Sequence, residues 1–230
     1  MSQELKTEEN FKVEEVYTKT EKYIEENKKS LSIILLAIVG IVGGYFGYKY
    51  LILEPKEAEA QKDMFFAEQY FAKDSIDKAI NGDGNYFGFK YIIEEYGFTK
   101  SANLAHYYLG CCYLKKGKFE DAIAELKEFE SNDMILAPMA NGAMGDAYSE
   151  LGNSEEAVSS YLNAAQMKSN NFTTPIFLMK AGLTYEDLSN YTNALKVYEQ
   201  IKSEYPNSNE GRNIDKYIAR AKAMLSLAKS

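Results

Sequence analysis

The chain has 230 residues, 46% of them hydrophobic, and a formal net charge of −8. That length holds one domain with a sizeable core beside a smaller segment. The acidic balance argues against nucleic acid or anionic lipid as a ligand, because both are bound through clustered Lys and Arg.

Residues 1–29 form a polar amino-terminal segment whose residues up to Ser30 include 6 Lys and 8 Glu. A thin apolar stripe, Val13, Val16, Tyr17, Thr20 and Ile24, predicts a short solvated helix there. From Ser30 to Tyr48 no charged side chain interrupts an apolar run that trails on to Leu53. At about 1.5 Å per residue, such a helix nearly matches the roughly 30 Å hydrocarbon layer, so residues 30–53 are expected to span a membrane. A cleaved secretory signal does not fit. Polar sequence precedes the run, and Glu54-Pro55-Lys56 follows where a small-x-small cleavage site would stand. A buried core helix is disfavoured because such helices are seldom apolar all round for so long.

Lys19, Lys22, Lys28 and Lys29 on the amino side outweigh Lys49, Lys56 and Lys62 beyond, which predicts a cytoplasmic amino terminus and an exported remainder. Gly40, Gly43, Gly44 and Gly47 fall on one helical face as two small-xxx-small pairs, a face that permits close approach by another helix. Glycine is also common in any membrane helix, so the same pattern fits an unpartnered span. Tyr45, Tyr48 and Tyr50 suit the interface.

Residues 54–62 read as a polar linker, and the 177 residues after Leu53 carry 19 Lys and Arg against 26 Asp and Glu. The pattern beyond the linker is helical and repeats itself. Leu104-Ala-His-Tyr-Tyr-Leu-Gly-Cys-Cys-Tyr aligns with Ala140-Asn-Gly-Ala-Met-Gly-Asp-Ala-Tyr and Leu178-Met-Lys-Ala-Gly-Leu-Thr-Tyr. Gly110, Gly145 and Gly182 stand at steps of 35 and 37, and so do Tyr113, Tyr148 and Tyr185, and Ala122, Ala157 and Ala194. A small glycine lets two helices of a hairpin approach, and the alanines keep the second helix close. Leu126, Tyr161 and Tyr198 are expected to wedge against the next copy. Gly117 and Gly152, with Asn190 near the equivalent place, break the chain between the arms. An earlier, degenerate copy is expected from about Ala67, with Gly82-Asp-Gly84 as its turn. Ile214, Tyr217, Ile218, Ala221 and Leu225 form the stripe of a capping helix.

Cys111 and Cys112 are adjacent and cannot face one another in a helix, so an intrachain disulfide is disfavoured. His106 is the single histidine. With no Gly-x-Ser-x-Gly, no phosphate-cradling loop and no metal-spaced cluster, no catalytic, cofactor-binding or metal residues are assigned, and the chain is expected to be non-enzymatic.

The Leu-Gly…Tyr…Ala columns, the helix–turn–helix period and Pro206 near the end of the third copy resemble the tetratricopeptide repeat (TPR). The resemblance implies an all-α solenoid: a degenerate first repeat at 63–102, repeats at 103–137, 138–174 and 175–208, and a capping helix at 209–230. Missing tryptophans and extra residues before the second and third copies depart from the pattern. Placed on it, the first helices present Leu104, Tyr107, Cys111 and Leu114 from one copy. The next gives Met139, Gly142, Asp146 and Ser149, and the last gives Ile176, Met179, Leu183 and Glu186. This is a mostly apolar groove with two acids and no Lys or Arg, unsuited to clamping a carboxylate and suited to varied hydrophobic segments. Either the groove is open, or the capping helix or linker covers it.

A cytoplasmic stub, one uncleaved span and then TPRs is an order similar to the bacterial YfgM family, in the form found in Bacteroidota. That resemblance implies an inner-membrane protein with a periplasmic repeat domain beside the SecYEG translocon and a PpiD-like prolyl isomerase chaperone. It would receive or hand on unfolded exported clients, without nucleic acid or a small-molecule substrate. Two other readings stay open: a scaffold organising another cell-envelope complex, such as division or outer-membrane assembly machinery, and an accessory or regulator of an enzyme.

Overall fold

The computed structural model describes the backbone of residues 2–228 and the side chains of residues 21–228. It comprises two compact units, Met1–Pro55 and Lys56–Ser230. In the first, α1 (Ser2–Tyr48) runs into a π-helical turn, Lys49–Leu53. Pro55 has no N–H to offer the Leu51 carbonyl, and the Glu54 amide reaches back five residues to the Lys49 carbonyl instead. The apolar side chains face outward: Leu36 is 71% exposed and Ile41 73%. None of the apolar window is buried, so this is a helix long and apolar enough to cross a membrane by length and composition. A Cβ built on Gly40, Gly43, Gly44 or Gly47 meets nothing within 4 Å. Of the amino-terminal stripe, Val13, Val16, Tyr17 and Thr20 lie outside the described side chains.

The second unit is a run of helical hairpins. In chain order come α2 (Glu54–Ala72), α3 (Ile76–Asn81), α4 (Phe89–Tyr96), α5 (Lys100–Lys115), α6 (Phe119–Glu128), α7 (Leu136–Glu150) and α8 (Ser154–Met167). Then follow α9 (Thr173–Asp187), α10 (Tyr191–Glu204) and α11 (Ile214–Leu227). No strand occurs among the described residues. Pro138 and Pro175 sit in the first turns of α7 and α9, where a missing N–H costs no helical bond.

One turn is used four times. A residue with positive φ donates to the carbonyl three back, and its successor to the carbonyl five back. The pairs are Asp74/Ser75, Gly117/Lys118, Gly152/Asn153 and Ser189/Asn190, with φ of 56°, 68°, 76° and 58° at the first of each. The successors bond to Tyr70, Tyr113, Tyr148 and Tyr185, and Ala79, Ala122, Ala157 and Ala194 then donate to those successors in the next turn of helix. The first hairpin is therefore in phase with the other three.

Three expectations are corrected. Residues 54–62 are not a linker but the first half of α2, with Ala60 fully buried. The first hairpin turns at Lys73–Ser75, while Gly82-Asp-Gly84 begins a loop that splits its second helix into α3 and α4. Gly82 has φ +83°, and a Cβ there would stand 2.2 Å from the Tyr86 carbonyl oxygen. In the third copy the left-handed residue is Ser189, and Asn190 is the N-cap, accepting from the Asn193 amide.

The glycine columns are contact points within a hairpin. A Cβ on Gly110 would lie 2.6 Å from Leu126, on Gly145 2.5 Å from Tyr161, and on Gly182 2.2 Å from Tyr198. Each partner stands sixteen residues on. Leu126, Tyr161 and Tyr198 thus wedge onto their own copy, and the next element also meets the tyrosines, Lys180 standing 5.5 Å from the Tyr161 ring and Tyr217 5.6 Å from that of Tyr198. Burying a side chain of this size stabilises by about 2 kcal/mol. The buried side chains gather in two clusters, one from Ala60 to Ala122 and one from Ala157 to Ala221, with the α6–α7 junction between them.

Candidate binding groove

The first helices α2, α5, α7 and α9 present the face on which a ligand is expected. Leu114 and Asp146 come together there in an open groove of about 700 Å³, with Ser149, Phe119, Tyr161 and Lys180 around them. Lys115 and Lys180 correct the expectation of a face without Lys or Arg. Both are engaged: Lys115 Nζ lies 2.6 Å from Asp74 Oδ1, and Lys180 Nζ 2.5 Å from Asp146 Oδ1. Asp146 Oδ1 also accepts from the Tyr161 hydroxyl at 2.7 Å, and the Lys180 ammonium stands 5.5 Å from the centre of the Tyr161 ring. Burial, and then this hydrogen bond to a carboxylate, push the Tyr161 phenol well above the usual range.

Leu104 lines a separate cleft of about 290 Å³ with Glu57, Gln61, Met64, Glu68 and Lys100. Burial raises the Glu68 carboxyl above its ordinary value against a hydrogen bond from Tyr108. At the same end Glu57 accepts from the Lys100 amide and the Ser101 hydroxyl, each at 2.7 Å, and so fastens α2 to the start of α5.

The other expected positions are more deeply placed. Tyr107 is half-buried with its ring 5.3 Å from that of Phe129, at the end of α6. Burial pushes the half-buried Cys111 thiol up to about 11 and that of Cys112 up to about 12, so neither is a ready nucleophile. Met139, Ile176 and Met179 are half-buried on the core of the later hairpins. Gly142 is not surface at all: a Cβ there would lie 1.9 Å from Phe177, whose ring fills the gap between α7 and α9. Leu183 is 37% exposed. Glu186 is paired with Arg220 of α11, through Arg220 Nε at 3.2 Å and a second bond from the other arm of the guanidinium.

α11 packs on α10, with Ile214, Ile218 and Ala221 buried. None of its residues lines the 700 Å³ groove. The capping helix therefore closes the end of the third repeat and leaves the groove between the first and second open. The first hairpin extends this face by Gln61, in the expected linker, and by Met64 and Glu68, in the expected degenerate repeat. Ala67, Tyr70, Asp74 and Ala79 repeat the spacing of Gly110, Tyr113, Gly117 and Ala122, and that was the available signal.

Stacked hairpins offering an open groove on their first helices define a helical-repeat binding protein. Three of the hairpins match tetratricopeptide-repeat models, one model of that description at residues 104–133 and 177–208 and another at residues 140–171. No curated protein matches the chain. Among solved structures, a Podosopora anserina protein described as a kinesin light chain with nearly identical TPR-like repeats gives a TM-score of 0.55. The identity is 12%, over 75% of this chain and 90% of that one. MamA gives a TM-score of 0.53 at 19% identity, over 73% and 92%. At these identities the likeness is one of fold.

Proposed function

We propose that this is a non-enzymatic, membrane-anchored TPR protein that binds unfolded segments of exported chains as an accessory subunit of the SecYEG translocon. A PpiD-like prolyl isomerase chaperone would act beside it. The amino terminus lies in the cytoplasm and the repeats in the periplasm of a bacterial inner membrane. The observation that carries the reading is the groove at Leu114, Phe119 and Tyr161. Leu114, Phe119 and the Tyr161 ring give it an apolar part, where Lys180 pairs with Asp146 and Lys115 with Asp74, beside the acid Glu150. Such a lining holds hydrophobic segments without demanding a particular charge. Partner identity comes from the likeness in chain order to the YfgM family.

A photo-crosslinking residue at Leu114 in the full chain, in living cells, tests it. The expected adducts are unfolded exported chains, with channel subunits recovered after gentle extraction. Ala124, exposed on α6, is the control position. Adducts of division or outer-membrane assembly proteins with no channel subunit would replace this reading by the envelope-scaffold one. A reporter fused after Ser230 that reads out in the cytoplasm would end the export role.

A further inference from the structure

The two edges of the repeat unit differ in character. One edge carries the turns inside hairpins, such as Lys73–Ser75 and Lys116–Lys118, and its turn residues are polar or glycine apart from half-buried Leu151 and exposed Leu188. The other carries the connections between hairpins, and there large apolar side chains stand in water. Phe98 is 50% exposed, Met134 58%, Met167 47% and Phe172 62%. Ile135 and Phe172 are the N-caps of α7 and α9, each ten residues before the column glycine, and Phe98 directly precedes Thr99, the N-cap of α5. Three of the connections thus carry an apolar side chain at the start of the next hairpin. Asparagines tie these points into a row. Asn103 brackets Glu130, donating to its carbonyl at 2.8 Å and accepting from its amide at 2.9 Å, and Asn170 donates to the Met134 carbonyl at 3.3 Å. Asp133 and Asn170 also accept the amides of Ile135 and Phe172, each at 2.8 Å, which holds the two tips in place.

We propose that this edge lies in the interfacial layer of a bilayer, with Phe98, Ile135 and Phe172 inserted among the headgroups. The inference rests on the membrane-anchored reading above. The chain carries its own apolar helix, so a bilayer is always within reach of the repeats tethered to it. Exposed apolar tips flanked by polar residues suit a fluid interface. An exposed lysine accompanies each tip, Lys100, Lys127 and Lys168, and can lay its stem on the apolar row with the ammonium at headgroup level. Glu128 and Glu130 beside the same loop make zwitterionic lipid the matching surface.

The chain has no tryptophan, which makes the test direct. Phe98→Trp, Phe172→Trp, Leu188→Trp and Tyr45→Trp each give a single reporter in the full chain. Each is reconstituted in phosphatidylcholine vesicles with brominated acyl chains. Tyr45→Trp should be strongly quenched. Phe98→Trp and Phe172→Trp should be blue-shifted and lose about half their emission, as side chains just inside the headgroup boundary do. Leu188→Trp should stay water-like and unquenched. Edge reporters that behave like Leu188→Trp overturn the proposal. So do edge reporters that are blue-shifted but unquenched, because a protein surface then covers them. An unquenched Tyr45→Trp removes the anchored reading and this inference together.

Discussion

The second and third repeats make the same contact and end it differently. In both, a tyrosine of the second helix packs on a glycine of the first, sixteen residues earlier. Tyr161 ends on Asp146, whose carboxylate also holds Lys180. Tyr198 is fully buried, with the ring of Tyr217 5.6 Å away, and its hydroxyl has no hydrogen-bond partner. The residue after its glycine is Leu183, where the second repeat has Asp146. The glycine sets the approach of the helices, and the polar ending is an independent choice. Where the phenol meets the open groove, the sequence supplies an acid and a cation. Where α11 closes over it, an acid and a cation, Glu186 and Arg220, pair with each other beside the ring and the phenol has no hydrogen-bond partner.

The largest effect should come from removing the shared element. Gly182→Ala drives a methyl into a ring closed on every side and should cost about 3 kcal/mol, with Gly145→Ala costing about 2. Gly110→Ala meets Leu126, a flexible side chain, with the Ala122 carbonyl oxygen next at 3.2 Å. It gains about 1 kcal/mol of helix propensity, so it should cost less than the other two, about 1 kcal/mol. Thermal unfolding of the full chain in detergent, followed by circular dichroism, ranks the three. Equal losses would mean that the partner side chain does not matter. The polar endings should then separate in sign. Tyr161→Phe removes a hydrogen bond to a carboxylate and should cost about 1 kcal/mol, whereas Tyr198→Phe removes an unsatisfied buried hydroxyl and should stabilise by a similar amount. Destabilisation by both would show that Tyr198 has a partner after all.

The first hairpin has alanine, Ala67, in the glycine column and holds to its neighbour through a shared apolar cluster and through polar contacts at Glu57. Burial alone would raise the Glu57 carboxyl. Hydrogen bonds from Ser101 and Gln61 and from the Lys100 and Ser101 amides outweigh that and hold it below its ordinary value of 4.5. A depressed folded-state value means that the stabilisation is complete above about pH 4.5 and drains away as pH falls through it. Glu57→Gln should cost about 1 kcal/mol at pH 7, after allowing for partial exposure, and progressively less as the pH falls below 4.5. A pH-independent cost would show that only packing is lost.

The repeats were legible wherever a glycine, a tyrosine and an alanine kept phase, because each answers a steric need of the hairpin. The first hairpin was obscured because its column residue is Ala67 and its turn residue is Asp74, both ordinary in a helical context. Gly82 and Gly84 drew attention instead, and they serve an inserted loop in which Tyr86 stacks on Phe66 and Phe87 on Tyr91. The groove was legible only in part. Position on a repeat tells which way a residue points, and Leu114 and Asp146 line one groove. It does not tell that Phe177 fills the space over Gly142, nor that Lys180 reaches across to Asp146. Those depend on the stacking of one copy on the next, which sequence spacing does not encode.

The smallest single effect carries the sharpest test of whether the two endings are interchangeable. Leu183→Asp gives the third repeat the acid that the second has. Leu183 is 37% exposed, so little burial is lost, and Arg220 nearby offsets the new charge beside Glu186. The substitution alone should change stability by no more than about 0.5 kcal/mol. Its consequence should emerge against Tyr198. If the new carboxylate accepts from the buried hydroxyl, Tyr198→Phe stops stabilising in that background and begins to cost, and the cycle gives a coupling of about 1 kcal/mol or more. A coupling near zero would mean that the phenol at Tyr198 does not reach the position that its counterpart reaches. The two repeats would then differ in geometry as well as in residue.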